Sequence, residues 1–288
     1  MHWSRLAALA AAPLAALLFA FPAAAQPKDG KDKPFEPQVG QAGKDVIWVP
    51  TPDEVVERML RMAQVTPNDY VIDLGAGDGK IAIMAAKKFG ARSMGIEYNP
   101  EMAKHAQSNA EKAGVAGKAR IVQGDIFVSD FTKASVITMY LLPALNLKLR
   151  PQILAMRPGT RVVSHSFNMD DWEPDETSSM DGRRAYFWLV PANVAGAWAF
   201  EATGAGAVEK SELTLEQRYQ KIEGTLGLGS QLQAGLRDAR LRGFQISFSY
   251  VDNASVRRDL TGRVSGNRME GGFRADNGTE GRWTAVKK

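Results

Sequence analysis

The spacing of apolar positions changes character twice along the chain. From about residue 53 to residue 165, short apolar runs alternate with stretches whose apolar residues recur at helical spacing, and beyond about 195 the spacing falls to two. TPDE at 51–54 combines a cap hydroxyl at Thr51, Pro52 at the first helical position and Glu54 three residues past the cap, so a helix is expected there. Val55, Val56, Met59, Leu60 and Ala63 lie on one side of it. YVIDL at 70–74 reads as a short buried strand, GAGDG at 75–79 as a turn of permissive backbone, and 81–89 as a helix closed by Gly90. A second strand at 92–97 leads through Asn99-Pro100-Glu101 into a helix that runs to 113. Strands at 119–123, 135–140 and 160–165 and a helix at 144–156 continue the alternation. Parallel neighbours require crossover connections, so five such strands predict a doubly wound, mostly parallel α/β sheet. Segments 186–190 and 197–201 are expected to add an antiparallel edge pair.

The final third reads differently. QISFSYV and RYQKI alternate at strand period, and strands are expected at 213–222, 239–243, 244–251, 260–264, 269–273 and 281–286. Gly266-Asn267 and Asn277-Gly278 fit hairpin turns. GAWAF at 196–200 and GRWTA at 281–285 suggest the opening and closing strands of a small antiparallel barrel. The resulting plan is an α/β domain over 45–195 followed by an all-β domain over 196–288.

The N-terminus carries a targeting pattern: Arg5, an apolar Ala/Leu run from 6 to 21, and Ala23-Ala24-Ala25 before Gln26. This reads as a signal peptide over 1–25 cleaved after Ala25, which predicts a periplasmic or secreted protein. The alternative is an uncleaved anchor, since 6–25 is long enough to cross a bilayer, with membrane association and the body held in the cytoplasm. Residues 26–44 mix Pro, Gly and charge and read as a flexible leader. Composition narrows the chemistry further. The chain has no cysteine and three histidines, His2, His105 and His165, so thiolate centres are excluded and no histidine-built or other metal site is expected. The formal charge is +4, and without residues 1–25 it is 35 Lys+Arg against 32 Asp+Glu, or +3, too little to predict a nucleic-acid partner.

In an open α/β sheet the ligand sits beyond the carboxyl ends of the strands, which places Asp73 to Gly79, Glu97, Asp125 and Tyr140 first among site candidates. Glycines let a ligand approach the backbone, and an acid ending the second strand accepts ribose hydroxyls. The glycines are spaced G-x-G-x-G, however, and Asp73 and Asp78 put carboxylates where a dinucleotide's pyrophosphate would be repelled. A ligand with an ammonium group, a sulfonium and an adenosine ribose fits better than NAD.

VIDLGAGDGKIAI at 71–83, GIEYN at 95–99 and QGDIF at 123–127 resemble the successive motifs of class I S-adenosylmethionine (SAM)-dependent methyltransferases. The resemblance covers residues 45 to about 200 and implies a Rossmann-like domain with SAM as cofactor. It implies that Asp73, Gly75, Gly77, Asp78 and Gly79 hold the methionine moiety, Glu97 the ribose hydroxyls, and Asp125 with the Ile126 backbone the adenine. WVPTP at 48–52, DLGAGDGKIAIMAAKKFGA at 73–91 and MYLLPALNLKLRPQILAMRPGTRVVSH at 139–165 are similar to bacterial relatives of the ATP synthase c-subunit lysine methyltransferase family. Tyr140-Leu141-Leu142-Pro143 lies where non-SET histone lysine methyltransferases carry their substrate-facing motif, and departs from the Asn/Asp-Pro-Pro-aromatic pattern of many amino-methylating enzymes. Both parallels imply a protein lysine as acceptor. Tyr140 is then the candidate pocket wall, Thr51 and Trp48 cover the cofactor, and His165 is a candidate proton acceptor. The alternative function is a non-catalytic SAM- or nucleoside-binding protein, or an envelope ligand-binding protein, that acts through its β domain.

Overall fold

Thr51 does not cap the first helix. In the computed structural model, which describes residues 35–204, 206–229 and 232–288, α1 is Asp53–Met62 with Pro52 at the N-cap and no side-chain capping bond. The Thr51 hydroxyl instead pairs with His165 Nδ1 at 3.1 Å, so the expected cap becomes a tertiary contact. Val55, Val56, Met59 and Leu60 are buried as their spacing requires.

The alternation that follows is β1 (Tyr70–Leu74), α2 (Lys80–Phe89), β2 (Arg92–Glu97), α3 (Pro100–Lys112), β3 (Ala119–Gln123), β4 (Val136–Met139), α4 (Pro143–Leu154) and β5 (Arg161–His165). A hairpin of β6 (Glu176–Met180) and β7 (Arg183–Leu189) completes a seven-stranded sheet of order β3-β2-β1-β4-β5-β7-β6. The first five strands are parallel neighbours and β7 runs antiparallel to both β5 and β6. Strand β6, ETSSM, has no apolar alternation and so carries no strand signal in the sequence.

Burial shows why the sheet is wound on both sides. Val71, Val136 and Val163 sit in one cluster with α1 and the Ile81 and Met84 side chains of α2. Their neighbours Ile72, Ile137 and Val162 point the other way, into a cluster with Leu149 and Ile153 of α4. Successive side chains of a strand face opposite sides, so both faces need cover and the strands read as continuous apolar runs.

The second sheet contains β8 (Gly196–Gly204), β9 (Ala207–Arg218), β10 (Lys221–Gly227), β11 (Gln233–Gly235), β12 (Arg237–Arg242), β13 (Gln245–Val251), β14 (Arg257–Ser265), β15 (Arg268–Ala275) and β16 (Glu280–Lys287). Its order, β11-β10-β9-β8-β16-β15-β14-β13-β12, is that of a nearly closed antiparallel barrel, and Leu236 N donates to Gly224 O at 2.9 Å where the ends approach. Trp198, Phe200, Phe248 and Trp283 fill its interior. The GAWAF and GRWTA segments pair in register, Phe200 opposite Ala285 and Ala202 opposite Trp283. Residues 197–201 therefore belong to the barrel and add no edge strand beside 186–190, and 213–222 divides into β9 and β10 around a turn at Tyr219, which has φ 55°.

The two sheets belong to one compact unit, Phe35–Lys288. Phe244, in the β12–β13 turn, packs over Gly159 just before β5, and Ala192 N donates to Gly243 O at 2.8 Å. Trp172 stacks on Tyr219 and donates from Nε1 to Gln220 Oε1 at 3.0 Å. The signal-peptide or anchor expectation for 1–25, and most of the leader, lie outside the described residues. The last part of the leader is tied down: Gly40 N donates to Trp48 O, Trp48 N donates to Gln41 O, and Ala42 bridges Ile47, forming a small hairpin. Among the described residues no helix is long and apolar enough to cross a membrane.

Candidate active site

The loops after β1, β2 and β3 and the ends of β4 and β5 converge at one edge of the parallel sheet. Asp73, near the end of β1, is almost fully buried and accepts a hydrogen bond from the Thr138 hydroxyl of β4 at 2.7 Å. Burial pushes its carboxyl up to about 7, Asp78 and Glu97 add to the rise, and the Thr138 bond opposes it. A carboxylate kept out of water with one protein donor is a site for a cation.

The glycine turn is built for close approach. Gly75, Gly77 and Gly79 have φ of 79°, 53° and 82°, a region that side chains with a Cβ rarely adopt. A Cβ on Gly75 would lie 2.9 Å from Leu141 Cδ2, and one on Gly77 would lie 2.6 Å from the Trp48 indole nitrogen. Asp78 turns back to accept from Lys80 N at 3.2 Å. Glu97, at the end of β2, is fixed by two backbone donors: Gly77 N to Oε2 and Asn99 N to Oε1, both 2.9 Å.

Asp125 follows β3, with Phe127 N donating to its Oδ1 at 2.9 Å and Lys44 Nζ to its Oδ2 at 2.8 Å. The Lys44 hydrogen bond holds this carboxyl below its ordinary range. Lys44 also lies over the Tyr98 ring at 4.6 Å, so the N-terminal hairpin crosses the loops after β1, β2 and β3. Ile126 packs against the core beneath.

Beside this half, at the ends of β4 and β5, stand Thr51, Tyr140 and His165. The Tyr140 ring lies 4.0 Å from the imidazole of His165 and 6.1 Å from the ring of Phe167. His165 is buried, and burial together with the Arg183 charge brings its pKa down to about 4, so the ring is neutral at physiological pH. Its Nε2 has no hydrogen-bond partner among the described residues. Buried Asn146, on α4, donates to Phe167 O and Asn168 O at 3.2 and 3.1 Å, while its Oδ1 has no partner among the described residues. Neither Thr138 nor Asn146 stands out in the sequence as a site residue. A hydroxyl in a buried strand is the only local mark that Thr138 carries, its pairing beside Asp73 being fixed by the strand order, and Asn146 in a helix gives none. Among the described residues no cluster of side chains could hold a metal ion.

Comparison with known proteins decides the family. The sequence pattern of the ANTKMT methyltransferase domain matches residues 73–176. A protein-lysine N-methyltransferase of Saccharolobus islandicus is 46% identical over 138 residues, 47% of this chain and 86% of that protein. The chain belongs to this family of class I SAM-dependent methyltransferases. The methyltransferase is also 26% identical over 195 residues to the ATP synthase c-subunit lysine N-methyltransferase of Mus musculus, covering 66% of this chain and 73% of that protein. Among solved structures it is similar to an RNA methyltransferase from Salinibacter ruber in complex with S-adenosyl-L-homocysteine, with 48% identity, a TM-score of 0.50, and 51% of this chain and 96% of that one covered. SAM is accordingly the methyltransferase's cofactor, and the buried Asp73 carboxylate beside a glycine turn without side chains fits it. Matched residues 73–176 end before the barrel begins at Gly196.

Proposed function

We propose that this methyltransferase transfers the methyl group of SAM to the ε-amine of a lysine in a protein substrate. The observation that carries the reading is the uncharged wall at the ends of β4 and β5, where Tyr140 packs at 4.0 Å on an imidazole kept neutral by burial. The similar proteins of S. islandicus and M. musculus, named for lysine N-methylation, support the same acceptor class.

Bound SAM supplies a methyl group already activated by its sulfonium. In this reading Asp73 receives the ammonium end, Glu97 the ribose hydroxyls, and Asp125, once free of Lys44, the adenine together with the Ile126 backbone. Gly75, Gly77 and Gly79 admit the ligand to the backbone, with the Asp78 carboxylate alongside, and Thr51 and Trp48 cover it. A lysine side chain laid against Tyr140 loses hydration, which disfavours its ammonium form and lowers its pKa. With SAM bound, the neutral amine would attack the methyl carbon as the carbon–sulfur bond breaks, S-adenosyl-L-homocysteine would be the leaving group, and the methylated ammonium would release its proton to solvent. Alignment and exclusion of water supply most of the rate in such a displacement.

The similarity to a protein described as an RNA methyltransferase raises a second acceptor class, and one experiment separates the two. The full chain is incubated with methyl-tritiated SAM and with separated cellular protein and RNA. Label in protein, recovered after hydrolysis as N-methylated lysine, is expected; label confined to RNA would overturn the proposal.

A further inference from the structure

We infer that the outer face of the barrel over β12–β15 is a docking groove for an acidic polypeptide segment, separate from the methyl-transfer site. Two adjacent rungs of the sheet build it. One runs Arg240, Ser247, Thr261, Gly272 and Arg282 across successive strands, and the next runs Arg242, Gln245, Arg263 and Glu270. Neighbouring strands are about 4.8 Å apart, so the guanidinium groups border a floor of small side chains. The depression has a volume of about 640 Å³.

The floor has a cause inside the barrel. Gly262 and Gly271 face each other on β14 and β15, and a Cβ on Gly262 would lie 2.4 Å from Trp283 Cζ2. Both strands close on that indole, whose Nε1 donates to Thr261 O at 3.0 Å and Gly272 O at 3.2 Å. Gly272 itself is unconstrained from outside, since a Cβ there would meet only Gly281 O at 3.5 Å.

The arginines that line the groove form no salt bridge among the described residues, although Arg242 lies near enough to Asp175 to oppose the rise that burial gives that carboxyl's pKa. Arg257, Arg258, Arg268 and Arg274, on the same strands, each have a carboxylate partner. Arg240, Arg242, Arg263 and Arg282 have none within 4.0 Å among the described residues, and the one acid of the groove, Glu270, is engaged by Arg268. Exposed guanidinium forks match carboxylates in bidentate geometry. Carboxylates are favoured over a single-stranded nucleic acid because no aromatic face is free for stacking: the Phe244 ring beside the groove is covered by Arg263 at 4.0 Å. The concavity suits a chain better than a flat bilayer. Phe244 packs at the amino end of β5, whereas the methyl-transfer site lies at the carboxyl ends of the strands, so the groove is a second surface.

The test is fluorescence anisotropy of a labelled oligo-glutamate peptide with the full chain, with oligo-adenylate RNA and phosphatidylglycerol vesicles as competing arms. Salt-sensitive binding of the peptide is expected, weakened at least about tenfold in Arg240→Ala/Arg242→Ala/Arg263→Ala. Gly272→Val, which fills the floor without altering charge, is expected to weaken it as well. SAM binding by calorimetry should be unchanged in both variants and certifies their fold. No peptide binding by the wild type, equal binding by both variants, or tighter binding of RNA or vesicles than of peptide would overturn the inference.

Discussion

At the scale of single residues, the site turns on two buried titratable groups whose pKa values burial shifts in opposite directions. Asp73 has its pKa raised to about 7 by burial, and pairing with a bound ammonium requires its charged form. SAM affinity should therefore rise by about tenfold from pH 6 to pH 8, as the carboxyl ionises. Asp73→Asn should bind roughly 10- to 100-fold more weakly at pH 8 and show no such pH dependence, which calorimetry at several pH values would read. His165 runs in the opposite direction. Its folded pKa of about 4 lies below the ordinary 6.5, so its contribution to stability is complete above about pH 6.5 and is lost as pH falls toward 4. The stability difference between wild type and His165→Gln, measured by urea unfolding, should narrow across that window; a constant difference would show that the imidazole does not titrate as its burial requires. The strand-end positions of Asp73, Glu97 and Asp125 were legible in the sequence because the alternation of strands and helices marks them. Thr51 was legible as a helix-start residue only, because a hydroxyl that caps a helix and one that reaches across the fold to His165 have the same local sequence.

At the scale of elements, the N-terminal hairpin lies where the adenine half of the cofactor is proposed to bind. The Lys44–Asp125 pair is exposed and screened, so it competes weakly. Lys44→Ala should tighten SAM binding by no more than about fivefold. Weaker binding in that variant would show that the hairpin holds the ligand in place and does not compete with it. In the barrel, Gly262→Val drives a side chain into Trp283 and Glu270 O, 2.4 and 2.7 Å from the added Cβ, and should lower stability by roughly 1–3 kcal/mol or more. Gly272→Val, with open space around it, should leave the melting temperature nearly unchanged. Strands β1 and β4 were legible because burial on both faces makes them nearly continuous apolar runs. Strand β6 was not, since ETSSM lies at a sheet edge and is fixed by its pairing with β7, and β9 and β10 merged because the Tyr219–Gln220 turn contains no glycine or proline.

At the scale of the whole molecule, a methyltransferase domain and a barrel share one compact unit, joined through Phe244 on Gly159 and Trp172 on Tyr219. The order of the two parts was legible from the change of apolar period near residue 195, but their contacts were not, because they join residues far apart in sequence. The N-terminal pattern predicts removal of 1–25, so protein recovered from cells should begin at Gln26 by intact mass; an unprocessed chain in the membrane fraction would favour the anchor. The central claim is that the loops after β1, β2 and β3 form a working SAM site. Its most direct measurement is calorimetric titration of SAM and S-adenosyl-L-homocysteine into the wild-type chain and Glu97→Ala. Micromolar binding of both ligands by the wild type, lost in Glu97→Ala while the variant keeps its melting temperature, is the predicted result. No binding by the folded wild type, or undiminished binding by the variant, would contradict it.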